Sequence, residues 1–238
     1  MTTFPLEHVY QNEPAEHRFV FRPKDPISAL THFIGFLLAI IATPILLVHA
    51  SRNGDSAATM IGLSVFMLSM IQLYGASASY HSFDVNPRIN KVLKKIDHMS
   101  IFLLIAGSYT PICITAIGGT TGRNMLIAIW AIAFVGCVFK YFWVTCPRWV
   151  SSVIYISMGW AVIAVLPQTI SALSAGGFGW LLAGGIIYTV GGIIYALKLP
   201  IIPKNNIGFG NHELFHLFVM AGTLCHFIVM FQYIAMIG

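Results

Sequence analysis

Apolar residues fall into seven blocks along this chain, at about Ile27–His49, Ala57–His81, His98–Ala116, Asn124–Trp143, Val150–Thr169, Phe178–Lys198 and Asn211–Ile237. Each block holds roughly 20 residues or more, enough for a helix to cross a hydrocarbon core of about 30 Å. The polar connections are short and carry turn residues, as in Arg52-Asn-Gly-Asp55, Asn86-Pro87, Gly118-Gly119, Cys146-Pro147 and Pro203-Lys-Asn-Asn206. The pattern predicts an all-α protein, a seven-transmembrane helix bundle over 27–238. A short polar segment, 1–26, precedes it and carries Glu7, Glu13, Glu16, Arg18, Arg22 and Lys24. That segment does not read as a secretory signal peptide, which starts basic and turns apolar within a few residues.

Charge sets the direction of the bundle. Seven spans place the termini on opposite sides. One side then collects Arg18, Arg22, Lys24, Arg88, Lys91, Lys94, Lys95, Lys140, Arg148, Lys198 and Lys204; the other collects only Arg52 and Arg123. By the positive-inside rule the N-terminus is cytosolic and the C-terminus outside. The expected location is the plasma (inner) membrane, as a multi-pass protein.

Composition agrees: 57% of residues are hydrophobic and only 9% charged, against about 25% charged in a soluble domain. The net charge of +5 follows from topology and attraction to anionic lipid. The basic residues sit in short loops and form no recognition helix or stacking surface, so no nucleic-acid partner is expected. Cys113, Cys137, Cys146 and Cys225 form no Cys-x-x-Cys pair and read as small apolar core residues. Gly177, Gly184 and Gly191 recur every seven residues in the sixth span, a stripe suited to close helix packing.

Four ionisable residues share one depth. His81 ends the second span, which runs inward. Asp97 opens the third, and His212 and His216 open the seventh, both running outward. Such groups are expensive in a bilayer and mark function by default. Imidazoles four residues apart lie on one helix face, about 6 Å apart along the axis. With a third imidazole they form a catalytic-type zinc set that leaves one position for water, whose pKa a bound metal lowers to about 7. Asp97 suits a general base or a hydrogen-bond partner of that water. Ser77, four residues before His81, lies on the same face and suits a ligand-orienting or oxyanion-donating hydroxyl.

Each residue taken singly has a plainer reading. A boundary histidine is usually interfacial, a helix serine usually packs, and Asp97 suits the N-cap or first turn of the third helix. Asn211 suits the N-cap of the seventh. Among the other histidines, His98 points about 100° from Asp97 and His226 lies about 15 Å deeper than His216; both are candidate supporting groups. His8, His17, His32 and His49 receive no role. Glu213 completes His212-Glu-Leu-Phe-His216, a match to the H-E-x-x-H zincin pattern, whose Glu is the general base. An intramembrane zinc protease also needs a carboxylate ligand in a later span, and no such motif is found. Glu213 then reads as an interfacial charge, as a partner of the basic loops, or as a third candidate supporting group.

At these residues the chain resembles the hemolysin III branch of the progestin and adipoQ receptor family, within a superfamily that includes alkaline ceramidases. The matching segments are Ser77-Ala-Ser-Tyr-His-Ser82, Asp97-His-Met-Ser-Ile-Phe-Leu-Leu-Ile-Ala-Gly-Ser-Tyr-Thr-Pro111, and His212-Glu-Leu-Phe-His-Leu-Phe-Val-Met-Ala-Gly222 with His226. The resemblance implies Zn2+ bound by His81, His212 and His216 near the cytosolic face, with Asp97 holding the metal's water and Ser77 beside it. It also implies that Glu213 is no catalytic base, since eukaryotic relatives carry Gln there. The adiponectin-binding role of relatives with longer N-termini is not carried over.

The expected function is a zinc-dependent, ceramidase-like hydrolase of an amide or ester bond in a membrane lipid. The alternatives are a non-enzymatic membrane-homeostasis sensor or receptor-like protein with a structural zinc, a pore-forming hemolysin, or the intramembrane protease. A pore needs a continuous polar face along several helices, and Ile127-Ala-Ile-Trp-Ala-Ile-Ala-Phe134 has none.

Overall fold

The protein is described by a computed structural model covering residues 23–199, 201–202 and 209–237. Most of the polar N-terminal segment, with His8 and His17, and the Pro203–Asn206 turn lie outside the described residues. Seven helices are long and apolar enough to span a membrane: α1 (Pro26–Arg52), α2 (Ala57–Ser82), α3 (Pro87–Ile117), α4 (Gly119–Phe142), α5 (Arg148–Ala172), α6 (Ala175–Leu197) and α7 (Asn211–Met236). Among the described residues there is no strand.

The starts follow local chemistry. Ser56 caps α2 by accepting the Thr59 N–H, Asn86 caps α3 by accepting the Ile89 N–H, and Ser174 caps α6 by accepting the Gly177 N–H. Pro26 and Pro87 occupy first-turn positions, where a missing N–H costs nothing. The third helix therefore begins eleven residues before the His98 boundary expected from hydropathy. Charge does not end a helix; it only keeps the turn carrying Arg88, Lys91, Lys94 and Lys95 out of hydrocarbon. Asp97 accordingly lies three turns into α3, and its reading as an N-cap or first-turn acid is corrected.

The helices close into a ring. α2 packs on α1 and α3, α3 on α4, α5 on α6, and α6 on α7, which returns to α1. Large apolar side chains such as Leu38, Ile61, Leu68, Ile127, Phe134 and Val135 point outward and exposed, the arrangement expected where lipid is the solvent. The glycine stripe of α6 faces α7: Gly177 abuts Tyr233, Gly184 abuts His226, and Gly191 abuts Phe218. A Cβ at Gly184 would come within 2.4 Å of the His226 ring.

α5 is broken. Its middle, Trp160–Val165, tightens into a 3₁₀ turn before Pro167. Backbone groups freed in a membrane need protein partners, and Tyr109 of α3 supplies one. Its hydroxyl donates to the Gly159 carbonyl at 2.6 Å and accepts the Val162 N–H at 2.9 Å. The Cys-as-core expectation holds in part. All four cysteines are free, but Cys146 is hydrogen-bonded to Lys140 and Ser151. Lys140, expected among the loop charges, lies within the last turn of α4 and is buried.

Tyr109→Phe removes the hydroxyl and leaves Gly159 and Val162 unpaired. A loss of about 1–3 kcal/mol is expected, read as a lower unfolding midpoint in detergent. An unchanged midpoint would show that the break in α5 is held by other contacts.

Candidate metal centre

The ends of α2 and α7 bring three imidazoles together. His81 and His216 are buried, each 2% exposed, and His212 is partly buried. One ligand nitrogen from each lies within 4.8 Å of the others. The Nε2 atoms of His81 and His212 are 3.1 Å apart. Two nitrogens bound to one tetrahedral zinc are about 3.3 Å apart, given bonds of about 2.0–2.1 Å. The donor set and its spacing therefore fit a divalent metal.

The outer nitrogens are held from α1. Asp25 Oδ2 lies 2.9 Å from His81 Nδ1, and the Asp25 backbone N–H donates to the His81 carbonyl, also at 2.9 Å. Asp25 precedes α1 yet makes no side-chain cap to it; its carboxylate goes to the histidine instead. This is the carboxylate–histidine arrangement that fixes the tautomer and ring orientation of metal ligands. Thr31 Oγ1 lies 3.4 Å from His216 Nδ1 and spends its own hydrogen on the Ser28 carbonyl. The oxygen is then an acceptor for Nδ1–H, which leaves the Nε2 lone pair of His216 free.

His32, given no role from sequence, stacks flat on His216, with ring centroids 3.7 Å apart and planes within 10°. It also meets the Tyr74 ring edge at 5.1 Å. Its two ring nitrogens are buried and have no hydrogen-bond partner among the described residues. The signal for both residues was direction. α1 runs the same way as α3 and α7, so Asp25 and the first turns of α1 lie at the site end.

Asp97 and Ser77 sit beside the imidazoles. Ser77 of α2 and Asp97 of α3 face the same space. Both line a cavity of about 150 Å³ that His212, His216 and His32 also border. The cavity follows α3 from Asp97 to Ser108 and α7 from His212 to His226, a descent of roughly 16–21 Å at 1.5 Å per residue. His98 borders the same space, and its backbone carbonyl accepts the Tyr155 hydroxyl. His226 borders the deep end, edge-on to the Tyr188 ring at 5.3 Å.

Glu213 faces elsewhere. One carboxylate oxygen accepts the Ser28 hydroxyl at 2.6 Å, and the other accepts the Gly210 N–H at 2.8 Å. It closes the start of α7 and ties it to α1. Among the described residues it forms no ion pair with a basic loop, and a zincin-type base is not built there. Asn211, expected as the N-cap, is the first helical residue; the cap is Gly210. The Asn211 amide is drawn instead to the Leu199 carbonyl at the end of α6.

Known proteins share this arrangement of sequence. The family model described as haemolysin-III related matches residues 21–227. Hemolysin-3 of Bacillus cereus is 37% identical over 215 residues, covering 90% of this chain and 93% of that protein. A Hemolysin-3 homolog of Bacillus subtilis (strain 168) is 36% identical over 90% of this chain and 96% of its own length. The adiponectin receptor protein of Drosophila melanogaster is 22% identical over 82% of this chain, which spans 46% of that receptor. With the seven spanning helices in place and the match running from before α1 into α7, the chain is a multi-pass membrane protein belonging to the haemolysin-III-related family.

Proposed function

We propose that this protein is a zinc-dependent hydrolase of an amide or ester bond in a membrane lipid, working at the cytosolic leaflet of the plasma (inner) membrane. The observation that carries this reading is a convergence. Three imidazoles can hold a metal, and two of them, His212 and His216, border the same apolar cavity as Asp97 and Ser77. A structural zinc needs its ligands closed off from solvent and substrate; here His212 and His216 open onto space that a lipid chain can occupy.

His81, His212 and His216 would hold the metal, which supplies a Lewis acid and acidifies water when bound. Three neutral nitrogen donors suit zinc. Asp25 fixes the orientation of His81, and Thr31 with His32 fixes that of His216. Asp97 accepts the proton of the attacking water and returns it to the leaving nitrogen or oxygen. Ser77 holds the Asp97 carboxylate toward the cavity. The apolar walls, with Leu104, Ile105 and Val219 among them, take the acyl chain and keep bulk water out. The topology that puts the site at the cytosolic leaflet rests on the segregation of Lys and Arg.

A tie between α2 and α7 is the second reading, because the three histidines come from these two helices alone. The two readings separate on Asp97. Purified protein loaded with zinc should release a fatty acid from a membrane lipid, followed by mass spectrometry. Asp97→Asn should retain its zinc and lose about 100-fold or more of the rate, the range of a removed general base. Full zinc occupancy with no cleavage above that variant overturns the hydrolase and leaves the tie.

Asp25→Asn should weaken metal affinity about 10–100-fold, the usual cost of losing a carboxylate behind a ligating histidine. Competition with a chelator reads this directly. Unchanged affinity would show that His81 is oriented without Asp25.

A further inference from the structure

A second polar cluster lies at the same end of the bundle, on α4 and α5, and the chemistry above does not use it. Lys140 is 0% exposed. Its Nζ donates to Ser151 Oγ at 2.5 Å and to Cys146 Sγ at 3.2 Å. The Phe139 and Tyr155 rings flank it, with centroids 5.9 and 6.0 Å from Nζ. Ion pairs among the described residues join Asp25 to Lys24 and to His81; no carboxylate there reaches Lys140. A lysine near a membrane surface ordinarily extends its ammonium to water. This one is enclosed with two neutral partners, an arrangement that leaves a buried charge without its counter-charge.

Ser151 connects Lys140 to the cavity. Its side chain accepts from Nζ and borders the cavity, together with Ser152, Tyr155 and Ile156 one turn on. With its oxygen polarised by the ammonium, the hydroxyl is a strengthened donor when its hydrogen turns to that space and Cys146 Sγ, 3.2 Å away, donates to its oxygen. Asp97 stands on the α3 wall of the same cavity and repels a second anion from its own side. The α5 wall is therefore a place apart from the metal site where negative charge is favoured.

We infer that Ser151, backed by the buried Lys140, forms a headgroup site for an oxyanion, the carboxylate or phosphate of a single-chain amphiphile whose tail lies in the cavity. The inference rests on the reading of this cavity as a lipid chamber. It extends that reading, because a hydrolysed amide or ester leaves a carboxylate that moves from Asp97 toward this wall.

The test is binding to the full-length protein in detergent, by calorimetry, with dodecanoate, dodecyl phosphate and dodecanol as probes. The two anions should bind about tenfold or more tighter than the alcohol, the margin of one charge-assisted hydrogen bond. Lys140→Met and Ser151→Ala should each erase that margin and leave dodecanol affinity within about twofold, which also reports an intact cavity. Inorganic phosphate should fail to displace dodecyl phosphate; displacement at comparable affinity would make this a free-ion site and overturn the amphiphile. Equal binding of all three probes to the wild type, no binding of any, or a margin kept in both variants would also overturn it. Turnover plays no part in these measurements. A protein that binds anions but cleaves nothing defeats the hydrolase alone, and one that cleaves without anion preference defeats this site alone.

Discussion

Polar side chains inside this bundle can find partners only in the protein, because lipid offers none. That constraint organises the site end. His81 reaches it from α2 and is held by Asp25 at the start of α1; His216 reaches it from α7 and is held by Thr31 and His32 about two turns further along α1. Glu213 meets Ser28 on the same helix. α1 is thus the frame for imidazoles it does not itself supply. The result is three rings, two of them held from α1, with one ligand nitrogen of each within 4.8 Å of the others. Such a set costs free energy to assemble in an apolar interior, and a bound cation recovers it.

The same constraint shapes the cavity. α5 leaves regular helix geometry at Trp160, and the backbone groups freed there are taken up by Tyr109 from α3. Gly159 and Trp160 at that break border the cavity. α5 packs on α6 and only lightly on α3 and α4, so the space opens on this side of the ring. On the other side, the glycine stripe brings α6 close against α7. Close packing on one flank and a broken helix on the other give a chamber that begins beside Asp97 and descends toward mid-membrane.

Much of this was legible in the sequence. The seven spans follow from block length, and the shared depth of His81, Asp97, His212 and His216 follows from alternating helix direction. The glycine stripe pointed to a tight helix contact because its seven-residue period keeps one face. Other features depend on rotation about a helix axis, which an almost uniformly apolar span does not reveal. His32 lies in such a span, and nothing local tells whether it faces lipid or a neighbour. Asp25 before Pro26 reads as a helix start, and its true partner lies on another helix. Lys140 was counted toward charge asymmetry, yet its side chain turns inward. The start of α3 was misplaced because hydropathy measures where the hydrocarbon begins, and Asn86-Pro87 marks where the helix begins.

The metal is the point on which the account turns. Anomalous diffraction at the zinc edge, from crystals of the intact protein, tests it most directly. The account predicts one strong peak bonded to a nitrogen of His81, His212 and His216, on the side open to Asp97. A peak ligated by other residues, or well-ordered imidazoles with no peak in protein grown with zinc, would contradict it.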